Sequence, residues 1–254
     1  MRAAVSVPVV GWDREENIAA MVRHMKEASE NRVDLLLFPE TVITGLINGR
    51  DFSRDRDLGL RLDSNTIRLL RDKAIEFDIW LAFGLFELCE DTLYDSALLI
   101  DRQGEIALHY RRFSPGWRLP NVNPESYGLG EEYMTAETPW GKIGFLICGD
   151  LFDVPHLAKE SDLDLLLFPF ARCFPDDIAT LSPAEQQAYW DHQEWPQYAA
   201  KIAYIGAPAL MTNYIADPDL EGGAFGGGYI VDMAANILTS LPLYQDGIIV
   251  WEME

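Results

Sequence analysis

The sequence Asp34-Leu35-Leu36-Leu37-Phe38-Pro39 occurs a second time as Asp164-Leu165-Leu166-Leu167-Phe168-Pro169. Each copy holds four consecutive apolar residues before a proline. A run this short and this uniformly apolar reads as a strand buried on both faces. Each copy also follows a segment of helical pattern. Two such units within 254 residues predict two similar α/β halves with paired sheets. No low-complexity stretch or linker divides them, so residues 1–254 are read as one domain.

The remaining pattern fills in around these strands. Residues 3–10 are apolar and β-branched, which predicts a first strand. Apolar residues at helical spacing predict a helix over 14–30, and Ser64 or Asn65 can cap another running to about 77. Strands are expected over 80–86, 93–100 and 105–110, with a turn at 101–104 between the last two. Residues 111–131 lack a period and are rich in Pro, Gly, Asn and Ser, the mark of a long functional loop. A hairpin is expected over 132–138 and 142–148, then a short helix over 154–160. Ser182-Pro183-Ala184-Glu185 reads as a capped helix start, and that helix is expected to run to about 205 with an interruption at Pro196. Strands at 208–213, 228–232, 236–240 and 247–251 complete the pattern. Helix–strand alternation mixed with hairpins points to a mixed sheet covered by helices.

Composition narrows the class. The chain is 48% hydrophobic and 24% charged, ordinary for a globular protein with a sizeable core. A net charge of −21 opposes binding to nucleic acid or to anionic membranes. No apolar run is long enough to span a bilayer, and residues 1–16 lack a signal-peptide pattern, so a cytoplasmic protein is expected. Three cysteines without CxxC spacing and four histidines without HExxH offer neither a disulfide framework nor a zinc site, and no cofactor is implied.

Two positions carry chemistry. Cys148 ends the apolar run Ile143-Gly144-Phe145-Leu146-Ile147 and precedes Gly149-Asp150. A thiol at a strand exit beside a glycine is well placed for a nucleophile. Glu40 follows the first copy of the repeat, and a carboxylate in an apolar cleft can serve as the base that a thiol needs. Negative charge developing on the substrate calls for a cation and a backbone N–H. Arg111 or Arg112 can supply the first and Gly149 the second. Asp150 either binds substrate, caps the following helix or orients the loop. Phe170, Arg172, Trp117, Tyr127 and Tyr214 are candidate pocket walls. Cys89 and Cys173 read as structural, and His156 as a helix-surface residue.

Taken together, these residues resemble the carbon–nitrogen hydrolase (nitrilase) superfamily along almost the whole chain. Leu36-Leu37-Phe38-Pro39-Glu40 followed by Gly45 is similar to the family's first signature. Gly141-Lys142-Ile143-Gly144-Phe145-Leu146-Ile147-Cys148-Gly149-Asp150 is similar to its third. The resemblance implies a four-layer α-β-β-α sandwich of two mixed sheets, Glu40 as general base and Cys148 as nucleophile. Through Pro124-Glu125-Ser126 it also implies Glu125 as a second, structural glutamate. Gly226-Gly227-Gly228-Tyr229-Ile230-Val231-Asp232 resembles the closing strand. It further implies a homodimer and hydrolysis of a non-peptide C–N bond through a thioester. A small linear amide is favoured over a nitrile, because the usual Cys-Trp-Glu of nitrilases is absent.

The chain departs from the family at two places. Tyr110-Arg111-Arg112 puts Arg112 where the family has its catalytic lysine, and Gly149 replaces the companion residue after the cysteine. An arginine keeps the charge but presents a planar fork and does not give up a proton. The alternative reading is therefore a weak or inactive member that binds a small molecule or a protein. A third reading, a glycosidase with paired carboxylates, requires activity that survives Cys148→Ala.

Overall fold

The structure is a computed structural model that describes residues 1–46, 51–220 and 223–253. The first half runs β1 (Arg2–Val7), β2 (Val9–Val10), α1 (Arg14–Glu30), β3 (Leu35–Leu37), α2 (Phe52–Leu58), α3 (Asn65–Phe77), β4 (Trp80–Cys89), β5 (Thr92–Ile100) and β6 (Ile106–Arg111). The second runs β7 (Thr135–Thr138), β8 (Gly141–Phe145), α4 (Asp150–Asp153), α5 (Pro155–Glu160), β9 (Leu165–Pro169), α6 (Asp176–Ala179), α7 (Pro183–Tyr189) and α8 (Trp195–Ile205). It closes with β10 (Ala209–Thr212), β11 (Ile215–Ala216), β12 (Gly226–Val231), β13 (Ile237–Leu243) and β14 (Gly247–Glu252).

The strands form two six-stranded sheets, β14-β1-β3-β4-β5-β6 and β13-β12-β10-β9-β8-β7, and a small β11-β2 pair. Each large sheet is built on three parallel strands, β1-β3-β4 in one and β8-β9-β10 in the other, flanked by antiparallel neighbours. The two copies of the repeated hexapeptide, β3 and β9, are the middle strands of these trios. That position explains their composition. Leu35, Leu37, Leu165 and Leu167 pack in the core between the sheets. Leu36 and Phe38 turn outward onto Met21, Met25, Ile67 and Leu70 of α1 and α3. Leu166 and Phe168 turn outward onto Tyr198 and Ile202 of α8. Alternate residues thus serve two different apolar layers, and the result is the four-layer α/β sandwich.

The aspartates of the repeat have matching tasks. Asp34 Oδ2 accepts from the Arg2 N–H at 2.8 Å, while its own N–H donates to the Arg2 carbonyl at 2.7 Å. Asp164 Oδ2 accepts from the Lys142 N–H at 2.8 Å, and its N–H donates to the Lys142 carbonyl at 2.9 Å. Each aspartate therefore clamps the start of the neighbouring parallel strand and fixes the register.

Some elements differ from the sequence reading. Residues 3–10 form two strands, because Pro8 has no N–H to continue the ladder. Helix α2 was not expected. Its sequence is polar, and its start is set by Asp51, whose side chain accepts from the N–H groups of Ser53 and Arg54. The helix through 182–205 is interrupted before Pro196, by a π-helical turn over Trp190–Glu194. Pro196 itself sits in the first turn of α8, where its missing N–H leaves no bond unmade. Among the described residues no helix is long and apolar enough to cross a membrane.

Gly84 on β4 lets the Glu40 backbone come close. A Cβ there would stand 2.5 Å from Glu40 Cα and 2.8 Å from Thr41 N. Backbone, not a flexible side-chain end, blocks it. Gly84→Ala is expected to destabilise the fold by about 1–3 kcal/mol, as overpacking does. Urea unfolding measures this, and a midpoint equal to wild type would show that the Glu40 segment has slack.

Candidate active site

Glu40 leaves β3 just after Pro39, and Cys148 leaves β8 after Ile147. The two exits are held by equivalent carbonyls. Pro39 O accepts from the Gly84 N–H at 3.0 Å, and Pro169 O accepts from the Cys148 N–H at 3.1 Å. Cys148 has φ 45°, and Thr41, next to Glu40, has φ 47°. Left-handed backbone in residues with a Cβ is strained, and such strain gathers at functional sites. The Cys148 thiol reaches the Ala171 carbonyl at 3.8 Å, and it acts electrostatically on the Glu40 carboxyl.

Arg112 follows β6 and holds these groups together. Its Nη1 donates to Glu40 Oε1 at 2.8 Å and to Asp95 Oδ2 at 3.1 Å, and its Nε donates to Ser114 Oγ at 2.7 Å. Nη2 lies over Gly149, where a Cβ would stand 2.6 Å from it and 2.6 Å from Ser114 Oγ. A side chain at 149 and a guanidinium at 112 compete for one space, so Arg112 and Gly149 are a matched pair. Glu40 is wholly buried. Burial, with Cys148 adding to it, pushes its carboxyl up to about 8, although the guanidinium pulls the other way.

A brace of buried hydrogen bonds fixes the loop that carries Arg112. Asp150 Oδ1 accepts from the Phe113 and Ser114 N–H groups at 3.1 and 2.7 Å. Its Oδ2 accepts from Tyr110 Oη at 2.8 Å and the Ile147 N–H at 3.2 Å. Asp150 is thereby placed as the tie between the Arg112 loop and the Cys148 turn. Both its oxygens are occupied, so it is not free to bind substrate.

Cys148 opens onto a cavity of about 290 Å³ that is also lined by Gly149, Phe152, Arg172, Glu194 and Tyr198. Glu40 and Arg112 lie behind the cysteine and do not line it. Arg172 Nη2 donates to both Glu194 oxygens at 3.1 Å. Glu194 reaches the cavity because the π-helical turn adds a residue to the helix, a device common at functional sites. Among the described residues, no group of three or more His, Cys, Asp and Glu side chains is arranged to hold a metal ion.

The sequence pattern described as carbon-nitrogen hydrolase matches residues 2–254. The chain belongs to the carbon-nitrogen hydrolase family. A deaminated glutathione amidase from Dictyostelium discoideum is 26% identical over 249 residues, covering 91% of this chain and 79% of its own length. A formamidase from Photorhabdus laumondii is 32% identical over 170 residues, or 63% of this chain, and the match takes in 48% of that relative. A carbon-nitrogen hydrolase from Helicobacter pylori G27 superposes with TM-score 0.80 at 20% identity, covering 98% of this chain and 88% of its own. A mutant amidase from Nesterenkonia sp. AN1, with acrylamide added at its active-site cysteine, superposes with TM-score 0.76 at 18% identity, covering 100% and 93%. At these identities the solved structures bear on the fold, which they share with this hydrolase.

Of the residues singled out in the sequence of this carbon-nitrogen hydrolase, the structure gathers Glu40, Arg112, Cys148 and Gly149 at one point, with Arg172 on the cavity wall. It does not bring Glu125 there. Glu125 is exposed, its N–H donates to Asn123 Oδ1 at 3.0 Å, and its carbonyl accepts from Thr92 Oγ1 at 2.6 Å. The second buried carboxylate beside Glu40 is Asp95. Its sequence signal was an acid within the mostly apolar strand β5. Phe170 is wholly buried between Phe168 and Trp190 rather than on the wall. Trp117 and Tyr127 pack with Phe86 and Leu93 in a separate cluster. Tyr214 is buried and accepts from the Leu46 N–H at 3.1 Å. Glu194 and Tyr198 were missed because helix-surface spacing does not reveal which turn faces a cleft.

Gly149→Ala tests the shared space. The added methyl drives the guanidinium off Glu40, and kcat/KM is expected to fall by about 10²-fold, the scale of a displacement near 1 Å in a catalytic group. An unchanged kcat/KM would contradict the fit.

Proposed function

We propose that this protein hydrolyses a small linear amide, with Cys148 as nucleophile and Glu40 as general base. The observation that carries this reading is that Cys148 lines a small cavity while the buried Glu40–Arg112 pair is packed behind it. Ionised Glu40 takes the thiol proton of Cys148. The thiolate attacks the amide carbon, and the C=O electrons move onto oxygen. The Gly149 N–H and Arg112 Nη2 are the donors assigned to that oxyanion. As the C–N bond breaks, Glu40 returns the proton to the leaving amine or ammonia, and an acyl thioester remains on Cys148. Glu40 then takes a proton from water. The hydroxide oxygen bonds to the acyl carbon, the C–S bond breaks, and the proton passes back to the thiolate. Net addition of one water gives an acid and an amine.

Two further points support an amide. The cavity of about 290 Å³ suits a small substrate. Relatives over large parts of the chain are described as a deaminated glutathione amidase and a formamidase, although others are described as an arylacetonitrilase and a cyanide hydratase.

Ammonia release from a panel of small aliphatic amides tests the reading. Wild type is expected to release ammonia, Cys148→Ala none, and Glu40→Gln roughly 10²–10⁴-fold less than wild type. Ammonia from Cys148→Ala would reject thiol chemistry. Silence of wild type across the panel would favour the binding-module alternative.

The Glu40 carboxyl near 8 sets the pH dependence. Glu40 accepts a proton only when ionised, so wild-type kcat/KM is expected to fall as pH drops below about 8. A rate that rises toward acid would contradict Glu40 as the base.

A further inference from the structure

Two carboxyl groups share one guanidinium nitrogen in the interior of this protein. Asp95 Oδ2 lies 3.1 Å and Glu40 Oε1 2.8 Å from Arg112 Nη1, with both acidic side chains wholly buried. Among the described residues, no donor meets the other buried oxygens, Glu40 Oε2 and Asp95 Oδ1. Yet the two side chains converge on that one nitrogen. Two ionised carboxylates this close repel, and a wholly buried site disfavours both against a single positive charge. One proton between them removes the repulsion and supplies the missing donor.

We propose that Asp95 is a positioning residue that remains protonated and donates its hydrogen bond to ionised Glu40, leaving the Arg112 charge for the Cys148 thiolate and the oxyanion. The inference rests on the reading of Glu40 as the base.

The placement favours Asp95 as the proton holder. It sits inside β5, paired with Phe86 of β4, and its carbonyl accepts from the Arg112 N–H at 2.8 Å. Glu40 instead meets the thiol and is the carboxyl that must change state in the reaction. Burial, and next the negative charge of Glu40, hold the Asp95 carboxyl well above the ordinary carboxylate range. The groups facing this pair from the packed elements are Arg112 after β6, Cys148 after β8, Asp150 through Arg112, and Cys173, Tyr198 and Tyr214, which feel Glu40. Charge counting shows the consequence. With Asp95 neutral, proton transfer from Cys148 to Glu40 leaves one thiolate against one guanidinium. With Asp95 ionised, two negative charges would face that one guanidinium both before and after the transfer.

The test is the pH dependence of Cys148 alkylation by iodoacetamide, read by peptide mass spectrometry in the whole protein, so it needs no substrate. Wild type is expected to show a midpoint set by Glu40. Asp95→Asn, a neutral donor of the same shape, is expected to keep that midpoint. Asp95→Ala, which removes the donor, is expected to move it up by about one pH unit, the scale of a hydrogen bond to a charged group. A midpoint that falls in Asp95→Asn would mean Asp95 is ionised in the native protein and would overturn the proposal. An unmoved midpoint in a folded Asp95→Ala would reduce Asp95 to a packing role and overturn it too. If Asp95→Ala does not fold, Asp95→Asn alone decides between a held and a lowered midpoint. Glu40→Gln separates the two levels. If it retains the wild-type midpoint, the base assignment itself fails.

Discussion

The Arg112 guanidinium is the contact on which the site depends. Three nitrogens of one rigid plane meet Glu40 and Asp95, Ser114, and the surface of Gly149. A lysine offers a point charge on a flexible stem and cannot satisfy these groups together. Removing one member of a buried ionic cluster typically costs 3–5 kcal/mol, because the remaining charge loses its partner. The plane of the guanidinium therefore dictates a glycine at 149 and, through the Asp150 brace, the course of the loop after Tyr110. The thiol is then presented beside a carboxyl whose ionised form the guanidinium favours against its burial.

The two halves of the molecule share one winding and differ in what they present. Read from β14 to β6 and from β7 to β13, the sheets have the same order of a flanking strand, a parallel trio and two antiparallel strands. The middle strand of each trio begins with an aspartate clamp and ends in Phe-Pro. After the proline the first half carries Glu40 and the second Phe170. One is the proposed base. The other fills the apolar layer under α8, stacked on Phe168 and Trp190. The carbonyl of Pro169, meanwhile, holds the N–H of Cys148. The doubled scaffold thus places an acid from one half against a thiol supported by the other.

Much of this was legible from the sequence, for physical reasons. Strands buried on both faces leave an unbroken apolar run, and β3 and β9 showed it. Glu40 and Cys148 were visible because each follows such a run directly. Asp95 was harder to see, since its meaning depends on a side chain of β5 meeting Glu40 from across β4, an arrangement that only the sheet order reveals. Glu194 depended on a π-helical turn that no periodicity announces. Glu125 illustrates the opposite case, in which a resemblance over three residues placed in the site a side chain that the fold leaves exposed on the loop. Helix α2 escaped because its single signal is one capping aspartate.

The most direct test of this account is the acyl adduct on Cys148. Intact-protein mass spectrometry after rapid mixing with a small aliphatic amide would follow it in wild type and in Arg112→Lys. The account predicts an adduct in wild type and a rate of formation lower by about 10²-fold or more in Arg112→Lys, as expected when an oxyanion donor and the Glu40 contact are both disturbed. An adduct that forms equally fast or faster in Arg112→Lys would contradict the claim that the guanidinium is what assembles this site.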